Sequence, residues 1–362
     1  MKRIAVLGAG AGGTAAAVEL SKKGMEITLW NRSAHTLEPH QALGGIEHEG
    51  VLGNGFTPIA SITTDLAQAI DGVDAILVCL PTFIHEQIAR SLAELHAGAI
   101  PVVLNPGHTG GALAFRHAYL QVDSKLPPLA EFSTLTYVAR KPTPARVNVT
   151  GRARSVRVGA LPGGKAALAA AQEMFDSASP VDDVLAADLA NANLVLHPPG
   201  AVLGAAWVEA RGGDFTFYIE GMTAGVARVM ARLDAERLAV AQLLGHTLPP
   251  LVDEMKRIGT VDDLDADPTD LAKAIGSGEA NARIKAPDSL QHRYYLEDFG
   301  HGLMPFTAIA RIVGVSTPTA DALLELGATL TGVAFHETGR TAASMGIAGL
   351  DRGGLLALVR GD

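Results

Sequence analysis

A histidine and a distant charged segment have the residue types needed for acid–base chemistry. The apolar stretch 194–196, which follows Asn193, leads into His197, and two prolines come next, which predicts a histidine at the end of an apolar helix. Residues 291–305 contain Arg293, two carboxylates including Asp298, and two further histidines. A carboxylate reaching the imidazole would fix its tautomer and stabilise the imidazolium, giving a general acid–base pair for carbonyl or imine chemistry. The alternative is a histidine that only complements the helix dipole.

The arginine of this segment adds a second function. Arg293 carries a two-pronged donor that suits a substrate carboxylate.

A glycine-rich turn at the start of the chain predicts a dinucleotide site. An apolar run over 4–7 precedes Gly8-x-Gly10-x-x-Gly13, and an Ala-rich helical pattern follows. Gly8 permits the tight turn, Gly10 lets the backbone approach a pyrophosphate, and Gly13 lets helix and strand pack closely.

The end of the second predicted strand, 26–30, indicates which dinucleotide. An acidic residue there would accept from the 2′-hydroxyl of NAD, but this chain has Asn31, Arg32 and Ser33. Arg32 and Ser33 suit a 2′-phosphate, so we favour NADP, with NAD possible.

Two further loops follow predicted parallel strands at 74–80 and 99–104. They begin at Leu80-Pro81 and at Asn105, with Gly107 in the second. Because the carboxyl ends of parallel strands meet at one edge of a doubly wound sheet, we expect these residues to line the cofactor site.

The hydrophobic patterns predict an α/β fold, with a Rossmann-type doubly wound sheet over 1–184 and a mostly helical domain over 185–362. Between the strands we expect an irregular excursion over 35–58, a helix over 62–69, a strand over 130–140, a hairpin pairing 146–150 with 155–159, and a helix over 165–177. In the second domain we expect helices over 186–196, 221–245, 251–258 and 269–275.

Composition limits the class of protein. The chain has 362 residues, a net charge of −9 and one cysteine, Cys79, with no basic cluster and no apolar run of membrane length. We expect a cytoplasmic protein that binds neither nucleic acid nor membrane. His35, His40 and His48 lack metal-ligand spacing, so no metal is expected. Four further histidines are expected in loops or at the surface: His85, His108, His292 and His301.

The chain resembles the opine dehydrogenases, the octopine and nopaline dehydrogenase family, over nearly its whole length. The resemblance rests on the glycine turn, on Asn105-Pro-Gly, on the segment 131–137 with Arg140, on 193–200, on 293–298 with Gly302-Leu303, and on the tail from Gly339. It implies reductive joining of an amino acid or amine to a 2-oxo acid through an imine, with a nicotinamide cofactor as hydride donor.

The resemblance also implies roles for individual residues. His197 matches the family's catalytic histidine, Asp298 the aspartate paired with it, and Arg293 the arginine that holds substrate carboxylate, while Ser133 and Thr134 line the oxo-acid side. Two departures, Thr136 and Phe299, lie beside these positions and bear on which substrates are accepted.

Two alternatives remain. A ketopantoate-type or glycerol-phosphate-like reductase shares a glycine turn and a helical second domain, but its usual acid–base lysine has no convincing candidate among Lys256, Lys273 and Lys285. The other is a non-catalytic NADP-binding redox sensor. The apolar helices of the second domain make us expect a homodimer.

Overall fold

The computed structural model describes residues 1–267 and 270–361, which form two compact units. The first comprises Met1–Gly107 and Phe115–Asp182, and the second comprises His108–Ala114 and the chain from Asp183 onward. The short segment 108–114 therefore belongs to the second unit, a feature that a single boundary near residue 184 does not foresee.

The first unit is built on two sheets. Its strands are β1 (Arg3–Leu7), β2 (Glu26–Trp30), β3 (Gly45–Gly50), β4 (Gly55–Pro58), β5 (Ser61–Thr63), β6 (Ala75–Val78), β7 (Val102–Leu104), β8 (Leu129–Phe132), β9 (Tyr137–Thr143), β10 (Arg146–Arg152), β11 (Val156–Ala160) and β12 (Ala178–Pro180). Its helices are α1 (Ala11–Lys22), α2 (Ala34–Leu43), α3 (Leu66–Ile70), α4 (His85–Glu94), α5 (Gly111–Leu120), whose first turn lies in the second unit, and α6 (Lys165–Met174).

The larger sheet has the order β12-β11-β8-β7-β6-β1-β2-β5, and each neighbouring pair is parallel except β8 with β11. Leu7 lies opposite both Trp30 and Val78 in this register. The strands are buried and rich in Val, Ile and Leu, as expected where helices cover a parallel sheet. The predicted Rossmann-type class is confirmed, and the carboxyl ends of β1, β2, β6 and β7 share one edge.

The smaller sheet has the order β4-β3-β10-β9, with β3 parallel to β10. The predicted hairpin is wrong, because β10 pairs with β9 and β3 whereas β11 pairs with β8 and β12 in the larger sheet. Alternation in sequence identifies a half-buried strand but does not name its partner. Gly151 and Arg152, expected in the turn, are the last residues of β10.

Three other predicted segments differ from the structure. Residues 35–58 contain helix α2 and a β3–β4 pair, because Leu37 anchors the helix in the core despite Pro39. In 62–69 a strand precedes a shorter helix that Asp65 caps. The strand over 130–140 is two strands, β8 and β9, in different sheets.

The second unit is helical, as predicted. Its helices are α7 (Val184–Asp188), α8 (Ala192–Leu203), α9 (Ala205–Arg211), α10 (Ala224–Leu243), α11 (Leu251–Ile258), α12 (Leu271–Gly276), α13 (Glu279–Ala282), α14 (Arg293–Asp298), α15 (Met304–Val313), α16 (Pro318–Thr331), α17 (Phe335–Thr338) and α18 (Arg352–Arg360). The predicted bounds of α11 are confirmed, and α10 is shorter than predicted by a few residues at each end. The start predicted for α12, Thr269, lies outside the described residues.

Helix α8 does not stop at its prolines. It continues through Pro198 and Pro199 to Leu203, so His197 lies within the helix rather than at its end. An interior proline removes a helical hydrogen bond and costs about 3 kcal/mol in an exposed helix. Here all but one of residues 192–201 are buried, and tertiary packing outweighs that local preference.

The segment 293–313 is continuously helical. Helix α14 continues into a π-helical turn over Phe299–Leu303 and then into α15. Such turns often occur at functional sites.

Candidate active site

The predicted contact between His197 and the distant charged segment is present within the second unit. Nδ1 of His197, in α8, lies 2.8 Å from Oδ2 of Asp298, the last residue of α14. Both residues are 2% exposed. Because a carboxylate accepts, Nδ1 carries the hydrogen and the neutral ring keeps its lone pair on Nε2. No described residue bonds Oδ1 of Asp298.

Tyr218 occupies the other side of the imidazole. Its hydroxyl lies 2.8 Å from Nε2 of His197 and also hydrogen-bonds Tyr294. Burial raises the pKa of Tyr218 well above its ordinary value, so the hydroxyl stays protonated and has a hydrogen to donate. Sequence reasoning missed Tyr218, since the aromatic run around it predicts only core packing.

Aromatic rings fix the orientation of the imidazole. Tyr294 stacks on His197 with ring centroids 3.7 Å apart and planes at 20°, and Phe217 contacts it edge-on at 6.0 Å. A ring held by two hydrogen bonds and a stacking partner has one orientation, which is what a proton-transfer group needs.

His108 is a second buried histidine of the second unit. Its Nδ1 lies 3.2 Å from Nδ2 of Asn191, and burial lowers its pKa. His108 lies in a loop, as expected, but it is buried. The expectation of a loop or surface position is wrong for His85 and His301, which are buried in helical segments. A histidine in a Gly-rich loop gives no signal of burial, because the packing comes from residues distant in sequence.

Arg293 begins α14, one helical turn before Glu297. Its Nε lies 3.9 Å from Glu297 Oε2, and 49% of its side chain is exposed. A guanidinium held this loosely keeps donors available for an incoming carboxylate.

Ser133 and Thr134 belong to the first unit, and both are buried in the link between β8 and β9. No described residue bonds the Ser133 hydroxyl oxygen. Nearby, Nδ2 of Asn105 donates to Thr136 across 3.0 Å.

The glycine turn has the form that a dinucleotide requires. Gly8 has φ +120°, and a Cβ there would lie 2.5 Å from the Cys79 carbonyl oxygen. A Cβ on Gly13 would lie 1.8 Å from the Gly8 carbonyl oxygen, so helix and strand touch through backbone. A Cβ on Gly10 would meet nothing within 4 Å, and no side chain caps α1. The open space and free N–H groups suit a pyrophosphate.

The end of β2 lies beside this turn. Oδ1 of Asn31 accepts from the Ala9 N–H at 3.2 Å, whereas Nη1 of Arg32 donates to Gln87 at 3.1 Å. Ser33 is exposed ahead of α2 and its side chain makes no capping bond.

The remaining predicted cofactor residues follow β6 and β7. Leu80 packs against Gly8, and Pro81 precedes a short 3₁₀ turn. Gly107 packs on Glu131, where a Cβ would overlap the carboxylate. Asn105 begins this loop with its Oδ1 unpaired among the described residues.

Metal-binding clusters and membrane-spanning helices are both absent from the described residues. Over 1–267 and 270–361, no three His, Cys, Asp or Glu side chains come together in a metal-binding arrangement. In the same ranges, every helix is too short or too polar to cross a membrane.

Comparison with known proteins shows which family this chain resembles. Residues 180–331 match the family described as NAD/NADP octopine/nopaline dehydrogenase, alpha-helical domain, and residues 3–115 match the NAD-dependent glycerol-3-phosphate dehydrogenase N-terminus. Opine dehydrogenase of Arthrobacter sp. (strain 1C) is 32% identical, with 99% of each chain covered. Vitopine synthase of Allorhizobium ampelinum is 25% identical, with 96% of each chain covered. An octopine dehydrogenase structure with NADH and L-arginine superimposes with a TM-score of 0.78 at 20% identity, covering 100% of this chain and 98% of the other.

These similarities show that the chain is an NAD(P)-dependent oxidoreductase that acts on CH–NH donors. This chain belongs to the opine dehydrogenase family.

Proposed function

We propose that this enzyme uses NADPH to join an amino acid or amine to a 2-oxo acid, with His197 as general acid–base and Asp298 as its partner. The observation that carries the residue assignment is the 2.8 Å contact between Nδ1 of His197 and the buried Asp298 carboxylate. It sets the tautomer, so that Nε2, which contacts the Tyr218 hydroxyl, is the nitrogen that exchanges protons, and it stabilises the imidazolium.

The proton steps follow from the chemistry of condensation. The amine nitrogen adds to the 2-oxo carbon, and His197 takes one proton from that nitrogen and returns it to the alkoxide, which becomes a hydroxyl. His197 then moves the second proton from the nitrogen to this hydroxyl, which leaves as water, so the imine forms and both amine hydrogens end in the water. When bound, the cofactor supplies the hydride that reduces the imine carbon. A dyad of this kind contributes about 10²–10⁴ in rate.

Three polar side chains, Arg293, Ser133 and Thr134, orient the substrates in this proposal. Arg293 suits the carboxylate of a substrate because its guanidinium is half exposed and only loosely paired. Ser133 and Thr134 offer hydroxyl groups in the first unit for the oxo acid, and the unpaired Ser133 oxygen supports that role.

The cofactor preference rests on the end of β2. The octopine dehydrogenase structure holds NADH and a yersinopine dehydrogenase structure holds NADP⁺, so this fold accommodates either. Here no acidic residue occupies 31–33 to select a ribose hydroxyl, and Arg32 with Ser33 offers donors to a 2′-phosphate. Arg32→Ala should raise the KM for NADPH more than that for NADH, and equal changes would contradict the role.

The reaction itself is tested by omission. NADPH oxidation is followed with pyruvate alone, an amino acid alone and both together, across a panel of amino acids and 2-oxo acids. We expect oxidation only with both, and a product containing a new C–N bond. Equal rates with the oxo acid alone would indicate a simple 2-oxo-acid reductase.

We also propose that the enzyme is a homodimer through its second unit, where Leu203 and Trp207 are exposed apolar side chains. Light scattering across a concentration series tests this, and a monomer throughout would contradict it.

The compartment we propose is the cytoplasm. Cys79 is the single cysteine, so no intrachain disulfide forms, as is usual in reducing compartments. Cell fractionation tests this, and recovery outside the cytoplasm would contradict it.

A further inference from the structure

A lysine of the smaller sheet reaches the glycine turn. Nζ of Lys141, in β9, lies 3.2 Å from the carbonyl oxygen of Ala9, between Gly8 and Gly10. The same nitrogen lies 3.0 Å from Nε2 of His40 in α2. All of these residues belong to the first unit.

The tautomer of His40 determines which group donates the hydrogen bond between His40 and Lys141. Nδ1 of His40 lies 3.2 Å from the Gly45 carbonyl oxygen, which only accepts, so Nδ1 carries the hydrogen and Nε2 accepts from Lys141. Burial, followed by the charge of Lys141, lowers the pKa of His40. His40 is therefore neutral, and it orients the ammonium without cancelling its charge.

The ammonium has no carboxylate partner. Across the described ranges 1–267 and 270–361, no Asp or Glu lies within ion-pair distance of Lys141, although the side chain is partly buried. Burial lowers its pKa, which is the cost of holding an unneutralised cation there. Ala9 and His40 take two of its three N–H donors, and one is left over. An anion at this position would offset the cost.

The position indicates which anion. In this fold the pyrophosphate lies at the N-terminus of the first helix, whereas the adenosine ribose meets the end of the second strand. Lys141 donates to the carbonyl oxygen of Ala9, and the N–H of Ala9 donates to Oδ1 of Asn31 at the end of that strand. Arg32, the cation expected from the sequence, is exposed and bonded to Gln87.

We propose that Lys141 is a determinant of cofactor specificity that binds the 2′-phosphate of NADP through its ammonium group. The proposal rests on the dinucleotide site of the proposed function and adds a residue on β9, far in sequence from the glycine turn. His40 is its positioning residue.

The experiment measures binding of adenosine fragments by titration calorimetry, so turnover plays no part. ADP carries the pyrophosphate and no 2′-phosphate, whereas 2′,5′-ADP carries the 2′-phosphate and a single 5′-phosphate. In the wild type we expect 2′,5′-ADP to bind at least about tenfold more tightly than ADP. Lys141→Met should weaken 2′,5′-ADP by about tenfold or more and change ADP by less than about threefold. Lys141→Arg, which keeps the charge, should retain most of the preference.

The matched control is Lys165→Met, which removes the same charge from an exposed position at the start of α6 and should change neither affinity. Retained ADP binding by Lys141→Met shows that its glycine turn is folded. An equal loss for both fragments, or no loss for 2′,5′-ADP, overturns the proposal. A wild type that binds ADP without preferring 2′,5′-ADP overturns it and leaves the dinucleotide site standing, whereas a wild type that binds neither overturns both.

Discussion

The hydroxyl of Tyr218 lies 2.8 Å from Nε2 of His197, while Asp298 lies 2.8 Å from Nδ1 of the same ring. Both ring nitrogens are therefore engaged. If His197 acts as the proposed general acid–base, a proton at Nε2 must pass through the Tyr218 hydroxyl, or this hydroxyl must move aside. We therefore expect substitution of Tyr218 to change the rate of proton transfer.

Replacing Tyr218 with Phe should lower kcat by about 10–100-fold, because Nε2 loses its buried partner, with little change in the Kd for NADPH. Steady-state kinetics and fluorescence titration measure the two quantities. The control is Tyr295→Phe, which removes an equally buried hydroxyl that donates to the Ala201 carbonyl at 2.8 Å. It should cost about 1 kcal/mol of stability and leave kcat nearly unchanged. Equal losses of kcat in both variants would assign the Tyr218 effect to packing.

Arg293→Met should raise the KM for the carboxylate substrate by about tenfold or more, because a charge-assisted hydrogen bond is lost. The half-exposed side chain contributes little to the core, so the melting temperature should stay within a few degrees. Kinetics with the 2-oxo acid varied and then with the amine varied will show which carboxylate it holds. Unchanged KM values for both substrates would rule out the role.

The glycine turn offers a matched pair of substitutions. Gly13→Ala places a Cβ 1.8 Å from a backbone oxygen and should destabilise the first unit by about 3 kcal/mol or more. Gly10→Ala enters open space at φ −73° and should change stability by less than about 1 kcal/mol while weakening NADPH binding. Denaturant unfolding and cofactor titration separate the two effects. Undiminished NADPH affinity in Gly10→Ala would contradict a pyrophosphate at this turn.

Acidification should destabilise the protein partly through His108. Burial lowers the pKa of His108 in the folded state, so the unfolded chain binds the proton more readily. The full contribution of His108 to the free energy of unfolding is present when the pH is above its pKa in the unfolded chain, about 6.5. This contribution is lost as the pH falls below that value. When the pH is lowered from 7.5 to 5.5, the melting temperature of His108→Gln should fall less than that of the wild type. An identical fall in both would show that His108 contributes nothing to the pH dependence.

Much of the architecture follows from local sequence. The strand, glycine turn and helix at the amino terminus, the parallel strands and the helical second unit each have a periodicity that short-range physics explains. The contact between residues 197 and 298 was predicted by the family resemblance, whereas residue chemistry alone indicated only that a carboxylate of segment 291–305 could reach the histidine.

The rest depends on partners distant in sequence. Helix α8 continues through Pro198 and Pro199 because it is buried, and burial is set by the surrounding helices. Strands β10 and β11 belong to different sheets, although their alternation suggested a hairpin. Tyr218 and Lys141 reach their contacts only after the chain has folded, so neither stands out in the sequence.

The kcat of His197→Asn tests most directly whether His197 transfers the protons of the reaction. Turnover is measured with NADPH and the best pair of amine and 2-oxo acid, alongside the Kd for NADPH from fluorescence titration. We expect kcat to fall by about 10²–10⁴ while the Kd stays within about twofold of the wild-type value. A kcat near that of the wild type would contradict the assignment of His197 and, with it, the proposed mechanism.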